Sequence, residues 1–145
     1  MSANDVGRRL MSMLIKQELF PAGSILLAAC SGGADSLAMT DLLREASRVE
    51  GWRVFVCHVQ HHLRDPEAEE DALFVEAFCR ARNLPFLRSD IDVRSYAASE
   101  RLSVEEAARL LRYKALEEKR LECGALAIIT GHHQEDQAET VLLNL

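Results

Sequence analysis

The chain has no long hydrophobic run. Its longest apolar stretch, Ile25 to Cys30, is six residues, where a membrane-crossing helix takes about twenty. The first residues, with Asn4, Asp5, Arg8 and Arg9 at helical spacing, lack the apolar core of a signal peptide. A cytosolic protein is therefore expected. Cysteines are few, at positions 30, 57, 79 and 123, and no two form a C-x-x-C pair. That spacing gives no support for a zinc ribbon or an iron–sulfur site, so the thiols read as reduced and buried. Basic residues are outnumbered, 17 Lys and Arg against 23 Asp and Glu, for a formal charge of −6. A surface that grips RNA broadly is usually basic, so RNA, if it is a substrate, is expected to be held mainly by another domain, C-terminal to this chain. Two common nucleotide motifs are also missing. No lysine stands where G-x-x-x-x-G-K-[ST] requires one, and no G-x-G-x-x-G occurs.

What is present is an alternation of strand-like and helix-like runs, the pattern of an α/β fold with a parallel sheet. With 145 residues, 48% of them hydrophobic, one domain over residues 1–145 is expected. Val6, Leu10, Met13, Leu14 and Ile15 form an amphipathic first helix that Pro21 and Gly23 close. Ser24–Cys30 reads as a buried strand, Ser36–Glu50 as a helix and Arg53–Val59 as a second strand. Glu67, Glu69, Glu70 and Asp71 mark the first turn of another helix, where the helix dipole favours acids. It runs to about Arg82, with Asn83 as cap and Pro85 beyond. Pro85–Ser89 is a short third strand. Ser103 and Glu106 make a capping box for a helix that reaches about Glu122 and stops at Gly124. Ala125–Thr130 is the fourth strand, and Gln134–Leu145 reads as a helix without a stop signal. That open end predicts a chain cut short of its natural length. The expected sheet is parallel, in the order 3-2-1-4, with helices on both faces.

The most informative residues are Ser31, Gly32, Gly33, Ala34, Asp35 and Ser36, between the first strand and its helix. In an open parallel sheet, ligands bind at the carboxyl ends of the strands where strand order reverses. Glycines let backbone approach an anion, and a helix N-terminus offers amide donors. Ser31 and Ser36 add hydroxyls. Asp35 places a carboxylate beside phosphates, which suits a bridging Mg²⁺. The bland alternative is a glycine turn with Asp35 or Ser36 as a helix cap.

The spelling S-G-G-x-D-S directly after strand one resembles the PP-loop ATP pyrophosphatases, whose fold is of the adenine nucleotide alpha-hydrolase type. Four further segments narrow the resemblance. They are His58-Val59-Gln60-His61-His62-Leu63-Arg64, Glu105 to Arg109 leading into Arg112-Tyr113, Thr130-Gly131-His132-His133, and Gln134 to Thr140. Together they are similar to the tRNA(Ile)-lysidine synthetases, from about residue 20 onward. The resemblance implies a ligase that cleaves ATP between its α- and β-phosphates. It adenylates the C2 oxygen of the wobble cytidine in the tRNA(Ile) anticodon. The amine of free lysine then attacks C2 and releases AMP.

It also implies roles for residues. Ser31 to Ser36 and His132 would bind ATP, and Asp35 would hold Mg²⁺. Arg112, one helical turn from Arg109, would face the α-phosphate. Asp136 and Glu139, three apart on a helix, would serve the lysine. On the residues alone, those two acids are equally a solvated helix start. His58, His61 and His62, or His132 and His133, lack the spacing of a transition-metal site. The sequence departs from the family's usual pattern in Gln60, where an acid is common, and in Ala34, where proline is frequent. Two rival readings are a PP-loop tRNA thiolase, which typically uses cysteine pairs, and a nucleotide-binding module without catalysis.

Overall fold

A computed structural model describes residues 8, 9, 12, 15, 19–61, 65–134 and 137–143, with side chains described as far as residue 130. Of the expected first helix, residues 8, 9, 12 and 15 are helical and the rest lie outside the described residues. The strands are β1 (Ile25–Ala29), β2 (Arg53–Gln60), β3 (Phe86–Asp90), β4 (Ala127–Gln134) and β5 (Gln137–Leu143). The helices are α1 (Ala34–Glu50), α2 (Pro66–Ala81), α3 (Val93–Glu100) and α4 (Val104–Cys123).

The sheet order is β3-β2-β1-β4-β5. The first four strands are mutually parallel, in the expected order. Alternation along each strand feeds two cores. Leu26 and Ala28 of β1 face Met39 and Leu43 of α1 and Val75 of α2. Leu27 and Ala29 face the opposite way, with Ala97 of α3 and Ala107 and Leu116 of α4. Helices therefore cover both faces, and apolar residues occupy both sides of β1, as a central parallel strand requires. The chain winds from β1 to β3 over one face, then returns under the other to β4. That reversal opens a crevice at the carboxyl ends of β1 and β4.

The helix boundaries have local causes. Asp65 caps α2 by accepting from the Glu67 amide at 2.9 Å, and Pro66 occupies the first turn, where its missing N–H is harmless. Ser103 Oγ accepts from the Glu106 amide at 3.1 Å. Only that half of the expected capping box is formed, because the Glu106 carboxylate is taken by Arg109. Gly124, at φ 74°, closes α4 in the left-handed conformation. The expected cap Asn83 is left-handed as well, at φ 55°. It stands one residue beyond the C-cap of α2, Arg82.

Two expectations are corrected. Residues 91–102, where no element is expected, contain α3, whose cap Asp92 accepts from the Ser95 amide at 3.1 Å. The expected helix from Gln134 to Leu145 is instead, over residues 137–143, the antiparallel strand β5. Three consecutive apolar residues, Val141 to Leu143, suit a strand as well as a helix. A twelve-residue helix is marginal by itself, whereas the outer edge of β4 offers a row of backbone groups to pair. Asp136 lies outside the described residues, and Glu139 stands on a strand, opposite His132. Glu139 is thus on a strand and not on the expected helical face. No helix among the described residues is long and apolar enough to cross a membrane.

Candidate nucleotide site

The β1–α1 loop is held in shape by its own side chains. Gly32 has φ 97°, a conformation glycine adopts without strain. A Cβ there would also stand 3.3 Å from Val75 Cγ2 of α2. The Gly33 amide donates to Ser31 Oγ at 3.2 Å, and the Gly32 amide donates to Ser36 Oγ at 3.2 Å. Ser36 in turn donates to the Gly33 carbonyl at 3.0 Å, which leaves Ser31 to donate across the 3.2 Å between the two hydroxyls. The serines were expected to point donors at an anion. Here they brace the loop.

The donors for an anion come from the backbone. Gly33 is the N-cap of α1 and makes no side-chain cap hydrogen bond. The cap residue of this 17-residue helix thus supplies no side-chain acceptor to the first turn, and the helix dipole adds partial positive charge. Ala34 is the first helical residue, a position proline also tolerates, which accounts for the exchange at low cost. Asp35 lies in the same first turn, half-buried. Gly32→Ala should cost about 1–2 kcal/mol for a left-handed non-glycine residue. Thermal unfolding of the apo chain measures it, and an unchanged midpoint would remove the strain argument.

Beside the loop, an open cleft is lined by Cys30, Ser31, His58, Gln60, His61 and Arg112, among others. Arg112 reaches it from α4 and is half-buried. Among the described residues it makes no ion pair or hydrogen bond, and desolvation pulls its affinity for a proton below the usual arginine level. Arg109, expected beside it, is exposed and paired with Glu106, its Nε 3.3 Å from Oε2. The structure thus brings Arg112 to the cleft and leaves Arg109 out of its lining.

His58 is buried, with Nδ1 2.9 Å from the Cys30 carbonyl. Gln60 is buried too, and its Oε1 accepts from Arg88 at 2.9 Å. Arg88 also binds Glu69 at 3.1 Å and Asp90 at 3.0 Å. These bonds hold the Glu69 carboxyl below the usual carboxylate range. Arg88 therefore ties together the two ends of the segment that joins β2 to α2. A neutral Gln60 fits a cation already matched by two acids. Sequence reasoning missed this clamp, because Arg88 lies 28 residues from Gln60. Its one trace was a polar side chain in a buried strand. His61 also lines the cleft, and His62 lies outside the described residues. The backbone of His132 extends β4 beyond Thr130, the partner of Ala29.

Two of the four cysteines are poor nucleophiles. Burial pushes the Cys57 and Cys79 thiols up to about 12, so neither forms thiolate near neutral pH. At pH 8 in the folded chain, a thiol-alkylating reagent should modify the half-exposed Cys123 and spare Cys57 and Cys79. Peptide mass mapping reads this out, and rapid labelling of Cys57 would contradict it.

A family profile described as PP-loop domain matches residues 4–145. The chain belongs to the PP-loop family. That family is an ATP-binding one. Among curated proteins, the chain is 40% identical over 138 residues to a tRNA(Ile)-lysidine synthase of Porphyromonas gingivalis, covering 94% of this chain and 30% of the relative. It is 38% identical to the protein of the same name from Bacteroides thetaiotaomicron, covering 97% of this chain and 32% of the relative. It is 35% identical to a bifunctional TilS/HprT protein of Listeria innocua, covering 98% and 22%. The chain thus spans a third or less of these relatives. Among solved structures, the U34-tRNA thiolase NcsA from Methanococcus maripaludis, with its [4Fe-4S] cluster, superposes with a TM-score of 0.70. It is 16% identical, over 92% of this chain and 46% of that one. The likeness concerns the PP-loop fold.

Proposed function

We propose that this PP-loop domain carries out ATP-dependent adenylation of the wobble cytidine of tRNA(Ile), with free lysine then forming lysidine. The observation that carries the reading is one cleft that a half-buried Arg112, with no ion pair or hydrogen bond among the described residues, lines together with Ser31, the first residue of the glycine loop that leads into α1. Those groups match a polyphosphate, with its leaving pyrophosphate on the loop and its α-phosphate toward the arginine. The 35–40% identity to lysidine synthases and TilS/HprT supplies the substrate class. A thiolase reading is weaker, since its usual cysteine pair is missing and two of the four thiols are held protonated.

In this reading the first-turn amides of α1 hold the β- and γ-phosphates. Arg112 offsets charge at the α-phosphorus as the cytidine C2 oxygen attacks and pyrophosphate leaves. The lysine amine then adds at C2, AMP departs, and a carboxylate takes the proton. Asp136 and Glu139 are the proposed acids, now on the strength of the family resemblance alone. Mg²⁺ fits as an ion that arrives with the phosphates. The described residues hold no cluster of three metal-binding side chains, yet Asp35 provides one carboxylate beside the loop, and Mg²⁺ commonly uses few protein ligands. When bound, it would neutralise phosphate charge. His132, past the end of β4's pairing with β1, is the proposed phosphate contact from that side. The substrates imply a cytosolic setting.

The test is product analysis. Residues 4–145 grafted in place of the matched segment of the Porphyromonas gingivalis relative, with tRNA(Ile), ATP, Mg²⁺ and labelled lysine, should yield AMP, pyrophosphate and labelled tRNA. ADP and inorganic phosphate would refute the reading.

A further inference from the structure

The Nδ1 of His58 lies 2.9 Å from the Cys30 carbonyl oxygen. A carbonyl can only accept, so Nδ1 carries the hydrogen. In the neutral ring, Nε2 is then the atom with a lone pair. His58 is 4% exposed, and its bond to Cys30 is its one hydrogen bond among the described residues. Yet no buried polar side-chain atom of those residues lacks a partner. Nε2 must therefore be reachable from outside the protein, and His58 lines the cleft. The backbone that fixes this tautomer belongs to the residue just before the phosphate loop. The other polar residues of the lining are Ser31, Gln60, His61, Asp71 and Arg112. The floor, with Ala29, Cys57 and Val59, is apolar and suits a sugar or base.

We infer that His58 is a specificity-determining residue whose Nε2 accepts a hydrogen bond from the nucleoside part of ATP. Two groups supply that chemistry, the exocyclic amine of adenine and a ribose hydroxyl. The inference rests on the proposal that ATP occupies this cleft. A triphosphate whose nucleoside lacks the donor leaves the lone pair facing an empty or apolar contact, which lowers affinity.

The experiment measures binding of four nucleotides to the 145-residue chain in the presence of Mg²⁺. They are ATP, purine riboside triphosphate, which lacks the amine, and the 2′-deoxy and 3′-deoxy forms of ATP. One analogue should bind the unaltered chain about tenfold more weakly than ATP, as for loss of one hydrogen bond. Its identity names the donor. His58→Asn keeps an N–H near Nδ1 for Cys30 but has nothing at Nε2. In that variant ATP should fall about tenfold, to the affinity of the weak analogue, and the difference between them should vanish. Equal weakening of all four, or of none, overturns the inference. So does equal binding of all four to the unaltered chain, a result that needs no variant to fold. If ATP itself does not bind the unaltered chain, the proposed function falls too, which separates the two failures.

Discussion

Arg112→Met is expected to make the chain more stable and the enzyme nearly inactive. The guanidinium is half-buried, desolvated, and has no hydrogen bond or ion pair among the described residues. A desolvated charge without a partner opposes folding. A side chain of similar length without charge removes that opposition, by about 1 kcal/mol, which for a chain of this size is roughly 2–4 °C in Tm. In the proposed function the same charge stabilises negative charge that grows in the transition state. Removing one such group typically lowers the rate 10²–10³-fold. Calorimetry on this chain and AMP release by the grafted enzyme measure the two effects. Stability and activity falling together would mean that Arg112 is a structural residue. Arg112→Lys should recover little, because a point charge does not reproduce a planar fork of donors.

Asp35→Ala is expected to remove most of the stabilisation that ATP and Mg²⁺ confer. A ligand at a hundred times its dissociation constant stabilises the native state by about 2.7 kcal/mol, roughly 5–10 °C here. Asp35 is an acid in the first turn of α1, so its removal also costs the apo fold about 0.3–1 kcal/mol through the helix dipole. The informative quantity is thus the increment on adding nucleotide, not the midpoint itself. The unaltered chain should show the increment with Mg²⁺ and a smaller one with EDTA. The variant should show a small increment in both. An undiminished increment in the variant would take Asp35 out of the metal role.

The parallel order was legible mainly from β1, β2 and the start of β4, which are largely buried and read as short apolar runs, whereas the edge strand β3 is only half-buried. The loop was legible because it needs a glycine: Gly32 stands at φ 97°, and a Cβ there would crowd Val75. Local rules fix both. Pairing across the fold was not legible. Nothing near Arg88 announces that it joins Glu69 to Gln60, and nothing near Cys30 announces that its carbonyl holds His58. Helical spacing put Arg109 and Arg112 on one side, but the local pair with Glu106 kept Arg109 at the surface. The last segment failed for a different reason. Val141 to Leu143 satisfies either period, and the open edge of β4, a tertiary feature, decided the outcome.

The central claim is that ATP is held at the start of α1, above the β1–β4 crevice. A titration of the ¹⁵N-labelled chain with ATP and Mg²⁺ tests it most directly. The largest amide shifts should fall on residues 32–36, with smaller ones at His58 and along the Arg112 turn of α4. Shifts centred instead on the groove between α3 and α4, around Ser95, Tyr96 and Glu118, with Gly32 to Ser36 unmoved, would contradict it.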